Sequence, residues 1–283
     1  MINRIKTNLN YIINSWIKCM SLVFSMIGAI SIFIPINEYI NGIKNAVIIL
    51  LAIVFFTFLS AVIAVFVKNK NDILCKNGKK VTVEFGDILS EKYESNKKII
   101  AISANRCFDT EVNNGLISSD KLHGKVIKKI EEKENISQEA LNKKIQKILD
   151  KQNLCFEQLN KEEKRLGNLK RYPVGTVVEY NLQECNYYLL GLCKLDENLH
   201  EQYTEQDQIS VIQKLIEHHN VYGNGKELIL PIIGGGNTGP NKSEQTILEL
   251  MVQLIKFNEN FINSNIHIVV RKSAKNEINI LEL

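Results

Sequence analysis

The stretch "PIIGGGNTGPNK" (231–242) places three glycines ahead of Asn-Thr-Gly-Pro, between the strand-like "ELIL" and the helix-like "SEQTILELMVQLIKF". Glycine has no Cβ, so its backbone can take positive φ and approach a ligand closely. A glycine run joining a strand to a helix can present amides and a helix N-terminus to an anion. Gly234, Gly235, Gly236, Asn237, Thr238 and Gly239 form this run, and Thr238 adds a hydroxyl. The chemistry it suits is phosphate binding; the alternative is a tight structural turn. No Gly-Lys-Ser/Thr ends the run and it lies late in the chain, so it is neither a Walker loop nor a dinucleotide fingerprint.

Other polar residues fall at strand ends. Asp87 follows the alternating "VTVEF" (81–85), where its carboxylate either accepts from an adenine amino group or caps the next turn. Asn105, Arg106 and Asp109 follow the apolar "KIIAISA" (98–104), and polar residues at the end of a buried strand more often serve a site than a core. His123 is a lone loop histidine without a visible triad partner, and is read as structural or ligand-packing. His200, His218 and His219 are given no role. The six cysteines include no CxxC pair and no Cys/His cluster of zinc spacing, so no metal site and no catalytic residue is expected.

The elements that must position these residues alternate between strand and helix. Residues 138–165 read as one amphipathic helix with Ser137 as N-cap. "GTVVEY" (175–180) and "YYLLGLCKL" (187–195) read as paired strands across a turn at Asn186. A helix over 208–219, a strand over 227–233, a helix carrying Ile247, Leu250, Met251 and Leu254, and a last strand over 265–271 closing the sheet complete the series. Residues 105–124 read as a polar loop. The class is α/β, a mixed central sheet flanked by helices. In such sheets ligands bind beyond the carboxyl ends of strands, which singles out the loops after residues 104 and 233.

Residues 19–37 and 45–67 carry no charge. A bilayer core of about 30 Å needs about 20 apolar residues, so both runs are expected to cross a membrane as a two-helix hairpin. Polar residues precede the first run and a second follows at once, which fits a cleaved signal poorly. Arg4, Lys6 and Lys18 flank one end, Lys68, Lys70, Lys76, Lys79 and Lys80 the other, and the connector has only Lys44 against Glu38. The positive-inside rule then puts both ends in the cytoplasm, making the chain a multi-pass inner-membrane protein. The expected domains are 1–71, in the membrane, and 72–283, cytosolic, joined by a linker near Asp72–Gly78. A formal net charge of +4, with Lys alternating with Glu, gives no nucleic-acid partner.

Taken together, "VTVEFGDI", "IIAISANRCFD", "GLISSDKLHG", "YPVGTVVEY", "YYLLGLCKL" and "LILPIIGGGNTG" resemble a macro domain over most of residues 81–271. With two apolar spans ahead of it, the chain is similar to the transmembrane-macro effectors of Thoeris anti-phage defence. The resemblance implies an ADP-ribose-derived ligand, specifically histidine-linked ADP-ribose made from NAD by a TIR-domain partner, with no further cofactor. It implies that Asp87 reads the adenine amino group with Ile88 beside it, that Asn105 sits near the distal ribose, and that Gly234 to Gly239 hold the diphosphate. Ala104, Arg106, Phe108, Asp109, Leu116, Ile117 and His123 complete the implied ligand-binding set. It further implies that the bound form becomes a homo-oligomer and disrupts the membrane. Where an ordinary macro domain has "GGGV" after the asparagine, this chain has "RCFDTEVNNGLISSDKLHG", a departure that weighs against hydrolysis of ADP-ribose. The alternatives are a membrane-bound ADP-ribosyl hydrolase and a passive ADP-ribose-binding anchor.

Overall fold

The computed structural model describes residues 2–33, 42–75, 78–112, 115–182, 184–235 and 242–283. The chain divides into two compact units, Met1–Asn71 with Ser273–Leu283, and Asp72–Lys272.

The first unit holds α1 (Ile2–Thr7), α2 (Leu9–Phe33) and α3 (Ile43–Val67). Helices α2 and α3 are each 25 residues long and apolar enough to cross a membrane. α2 begins well before the uncharged run because its first turns pack: Ile12 is fully buried against Ala61 and Val65 of α3. Antiparallel pairing is fixed by side chains on both helices. Trp16 donates from Nε1 to Thr57 Oγ1 at 3.1 Å and meets Phe58 edge to face, while Lys68 donates to the Tyr11 hydroxyl at 2.8 Å. Arg4 closes the base by donating to the Val65 carbonyl at 2.8 Å. The segment 273–283, expected in the second domain, belongs here instead. The Asn276 carbonyl accepts from Thr7 Oγ1 and the Ile280 carbonyl from Asn71 Nδ2, both at 2.8 Å, and Leu281 packs on the Ile12 cluster.

The second unit is a mixed sheet with helices on both faces. Its strands are β1 (Lys70–Leu74), β2 (Lys80–Gly86), β3 (Lys98–Asn105), the short pair β4 (Glu157–Gln158) and β5 (Lys170–Arg171), β6 (Val177–Asn181), β7 (Asn186–Leu195), β8 (Glu201–Gln202), β9 (Glu227–Leu230) and β10 (Ile266–Arg271). The order is β1-β2-β10-β9-β3-β7-β6, with β8 also on β7 and β4-β5 apart. β2, β10, β9, β3 and β7 run parallel, and β6 and β8 pair antiparallel to β7. The helices are α4 (Leu122–Glu134), α5 (Gln138–Lys151), α6 (Glu205–Tyr222) and α7 (Glu244–Phe257). Val126, Ile127 and Ile130 of α4 and Leu141, Ile145 and Leu149 of α5 pack on Ile100, Ile102 and Leu189 of one sheet face. Strand alternation turns their neighbours to the other face, where Tyr188 meets the rings of His218 and His219 on α6.

Several expectations change. The anticipated linker begins as strand β1, with Asp72 accepting from Thr82 Oγ1 at 2.8 Å. The helix expected over 138–165 ends at Lys151, Asn153 turns at φ 49°, and Leu159 is buried beside the β4-β5 pair. The supposed loop before residue 124 already contains the start of α4. Gly124 is needed there, because a Cβ would lie 2.3 Å from the Ser118 carbonyl oxygen. Asn186 is a paired strand residue opposite Asn181, so the turn precedes it. β10 does not close the sheet; it inserts between β2 and β9.

Candidate functional site

Parallel pairing brings the carboxyl ends of the strands that carry the candidate residues to one edge of the sheet. Gly86 lies opposite Arg271, Ile268 opposite Leu230, and Ile229 opposite Ile100. Asp87 follows the last residue of β2, Gly234 lies in the turn after β9, and Asn105 is the last residue of β3, so all three stand at carboxyl ends of parallel strands. At about 4.8 Å between neighbouring strands, β2 to β3 spans about 14 Å. This is an edge suited to an elongated ligand.

Asp87 is exposed, and its Oδ1 accepts from the Leu89 N–H at 3.0 Å. It therefore caps its turn. The neighbouring Ile88 is buried in the core.

The glycine loop starts as a tight turn. The Gly235 N–H donates to the Ile232 carbonyl at 3.4 Å and Gly234 has φ 80°, the arrangement of a type II turn with glycine at its third position. Two side chains from the next helix region hold it. Gln208 of α6, fully buried, donates from Nε2 to the Ile233 carbonyl at 2.6 Å; the Tyr203 hydroxyl donates to the Gly234 carbonyl, also at 2.6 Å. In a trans peptide the N–H points opposite to the C=O. Pinning the Ile233 carbonyl to Gln208 therefore aims the Gly234 amide away from α6, while the Gly235 amide is taken up inside the turn by the Ile232 carbonyl. A Cβ on Gly234 would stand 2.5 Å from Gln208 Nε2, so the loop admits only glycine there. Gln208 and Tyr203 are not singled out by sequence reasoning; only their place at a helix start, flanking the capping box Thr204–Asp207, could draw attention to them. Gly236, Asn237, Thr238 and Gly239 lie outside the described residues.

The loop after β3 is mostly interior, which corrects several expectations. Asn105 is buried and accepts through Oδ1 from the Cys107 and Asp109 N–H groups at 3.1 and 3.4 Å. Arg106 donates from Nε to the Tyr172 carbonyl at 2.8 Å, and burial pulls its pKa down. Phe108 is a core residue at φ 51°, edge to face with Tyr172 and stacked over Gly191. Asp109 is 1% exposed and paired with the fully buried Lys164 at 2.8 Å, and its Oδ1 accepts from the Asn168 N–H at 2.7 Å. These contacts tie the 160–168 segment to the β3 loop, so Asp109 is structural. Ala104, Leu116 and Ile117 are likewise in the core. His123 sits in the first turn of α4, and burial pushes its pKa down to about 4, which keeps the ring neutral at pH 7. Among the described residues no group of His, Cys, Asp and Glu could hold a metal ion.

Residues 81–271 match the family model described as the macro domain of Thoeris protein ThsA. The chain is 26% identical over 226 residues to a Thoeris protein ThsA of Bacillus amyloliquefaciens, covering 75% of this chain and 69% of that one. Among solved structures it is similar to an Oceanobacillus iheyensis macrodomain with ADP, at TM-score 0.42 and 11% identity over 73% of this chain and 90% of the other. A point mutant of that macrodomain with ADPR gives TM-score 0.42 and 12% identity, covering 73% and 92%. The family match runs from β2 to β10 and takes in the Asp87 turn and the glycine loop together: the chain belongs to the Thoeris ThsA macro-domain family.

Proposed function

We propose that the second unit binds an ADP-ribose derivative along the carboxyl edge of its parallel strands, and that binding switches on an effector of anti-phage defence. The observation that carries this is the placement of Asp87, the Gly234-Gly235 turn and Asn105 at the carboxyl ends of β2, β9 and β3, along one edge of a parallel run. Asp87 would accept from the adenine amino group, the Gly234 amide would donate to the diphosphate, and Asn105 would lie beside the distal ribose. The signal is histidine-linked ADP-ribose supplied by a TIR-domain enzyme that consumes NAD. Occupied chains assemble into a homo-oligomer, and α2 and α3, spanning the inner membrane with both ends cytoplasmic, disrupt it. A ligand that favours the assembling state about 10⁴-fold over the resting state supplies about 5.5 kcal/mol, enough to invert the population.

Binding rather than turnover is favoured by the loop after β3. Its acid, Asp109, is locked in a buried ion pair, and the nearby histidine is neutral and largely buried. The test is calorimetry on the full chain in detergent with ADP-ribose and histidine-linked ADP-ribose, the ligand recovered afterwards. Tight binding with intact ligand, and depolarisation of cells making the signal, is the expected outcome. Hydrolysed ligand would establish the enzyme instead, and binding without depolarisation the passive anchor.

A further inference from the structure

The edge described above carries one ion pair that the proposed ligand contacts do not use. Glu244 opens α7, directly after the glycine loop, and Arg271 is the last residue of β10, between the Asp87 turn and that loop. Arg271 Nη2 lies 3.0 Å from Glu244 Oε2, and Arg271 Nε donates to the same oxygen at 3.3 Å. The other carboxylate oxygen faces the glycines: a Cβ on Gly235 would sit 3.3 Å from Glu244 Oε1. A negative charge is thus held at the N-terminus of a helix and against the backbone assigned to the diphosphate. Helix N-termini favour anions, so Glu244 occupies the place an anionic ligand would take.

We infer that Arg271 is a diphosphate-binding residue and that Glu244 is its resting partner, displaced when the ligand binds. The inference rests on the ADP-ribose-binding assignment above. Three features make the exchange inexpensive. The guanidinium is 59% exposed, so it can turn without being stripped of water it does not already lack. Glu244, at 22% exposed, offers one carboxylate charge, and a diphosphate with more charge can compete with it for the guanidinium. Arginine's planar fork grips phosphate as readily as carboxylate, whereas a lysine would offer only a point charge. The device also sets specificity: Glu244 repels an anion that Arg271 does not reach, so a ligand must bring its diphosphate to the carboxyl end of β10.

The experiment is a double-mutant cycle on the full chain in detergent, with calorimetric affinities for ADP-ribose. Arg271→Gln is expected to weaken binding about tenfold, the loss of one charge-assisted contact. Glu244→Gln is expected to tighten it about threefold in the natural background, by freeing Arg271, and to have a smaller effect when Arg271→Gln is already present. Adenosine, which has no phosphate, serves as control and should not distinguish Arg271→Gln from the natural chain. Equal effects of Glu244→Gln in both backgrounds would mean Glu244 acts by charge alone, overturning the exchange. Natural-level ADP-ribose affinity in Arg271→Gln would overturn the Arg271 assignment while leaving the binding site standing. No ADP-ribose binding by the natural chain would overturn both.

Discussion

Replacing Asp109 by asparagine separates a structural acid from a ligand-binding one. Asp109 and Lys164 are 1% and 0% exposed and stand 2.8 Å apart, with Lys164 also donating to the Asn168 carbonyl at 2.8 Å. Asparagine keeps the size and can still accept from the Asn168 N–H, but it leaves the Lys164 ammonium buried without its counter-charge. Breaking a buried pair by removing one partner costs about 3–5 kcal/mol. In a domain of this size each kcal/mol moves the melting temperature by about 2–4 °C, so Asp109→Asn should melt about 6–20 °C lower. Near-UV circular dichroism of the buried tyrosines Tyr172, Tyr187 and Tyr188 follows the transition in detergent. Adding Lys164→Met removes the orphaned charge and should restore much of the loss, because a buried pair is often matched by apolar residues of similar volume. ADP-ribose affinity below the transition should stay within about twofold of the natural chain in the double variant. A chain with Asp109→Asn that melts normally yet no longer binds would refute this, and would return Asp109 to the ligand site.

The glycine turn offers a second test. Gly234→Ala must hold φ near 80° with its Cβ against the buried, hydrogen-bonded Gln208 amide. A loss of about 1–3 kcal/mol in stability is expected, together with weaker ligand binding, while Tyr203→Phe should cost about 0.5–1.5 kcal/mol by freeing the Gly234 carbonyl. Acid sensitivity is predicted from His219, which is 3% exposed, meets Ser264 Oγ at 2.8 Å through Nε2, and has its pKa pushed down to about 4 by burial. The unfolded chain binds that proton near pH 6.5, so His219 contributes its full stability above about 6.5. The contribution falls as pH drops toward 4, up to about 3 kcal/mol. His123 shifts the same way. Melting temperature against pH should fall less steeply between 6.5 and 4 for His219→Gln, and an unchanged slope would count against it.

What the chain reveals of itself before folding depends on how local the signal is. β2, β3 and α7 are legible because period-2 and period-3.6 patterns need no partner to be seen. α4 is hidden: "LHGKVIKKIEEKE" is mostly charged, and its glycine looks like a loop until Ser118 is found against it. The helix expected beyond Lys151 came from Phe156 and Leu159 keeping phase with α5, although Leu159 is buried beside a two-stranded pair instead. β10 slots between β2 and β9, and strand order is a non-local fact that no window contains. The site divides the same way. Asp87 and the glycine loop stand out as punctuation after strands. The Asp109–Lys164 pair bridges distant segments, and the Gln208 and Tyr203 clamp on the turn is visible only once α6 is docked.

The most direct measurement is calorimetry of ADP-ribose binding to the full chain and to two variants, Asp87→Ala and Gly235→Val. Asp87 is exposed and Gly235 has an ordinary φ, so neither change should unfold the domain, which near-UV circular dichroism verifies. The natural chain is predicted to bind with one ADP-ribose per chain, and both folded variants to lose that binding. Undiminished binding by the two variants would contradict the placement of the ligand on this edge.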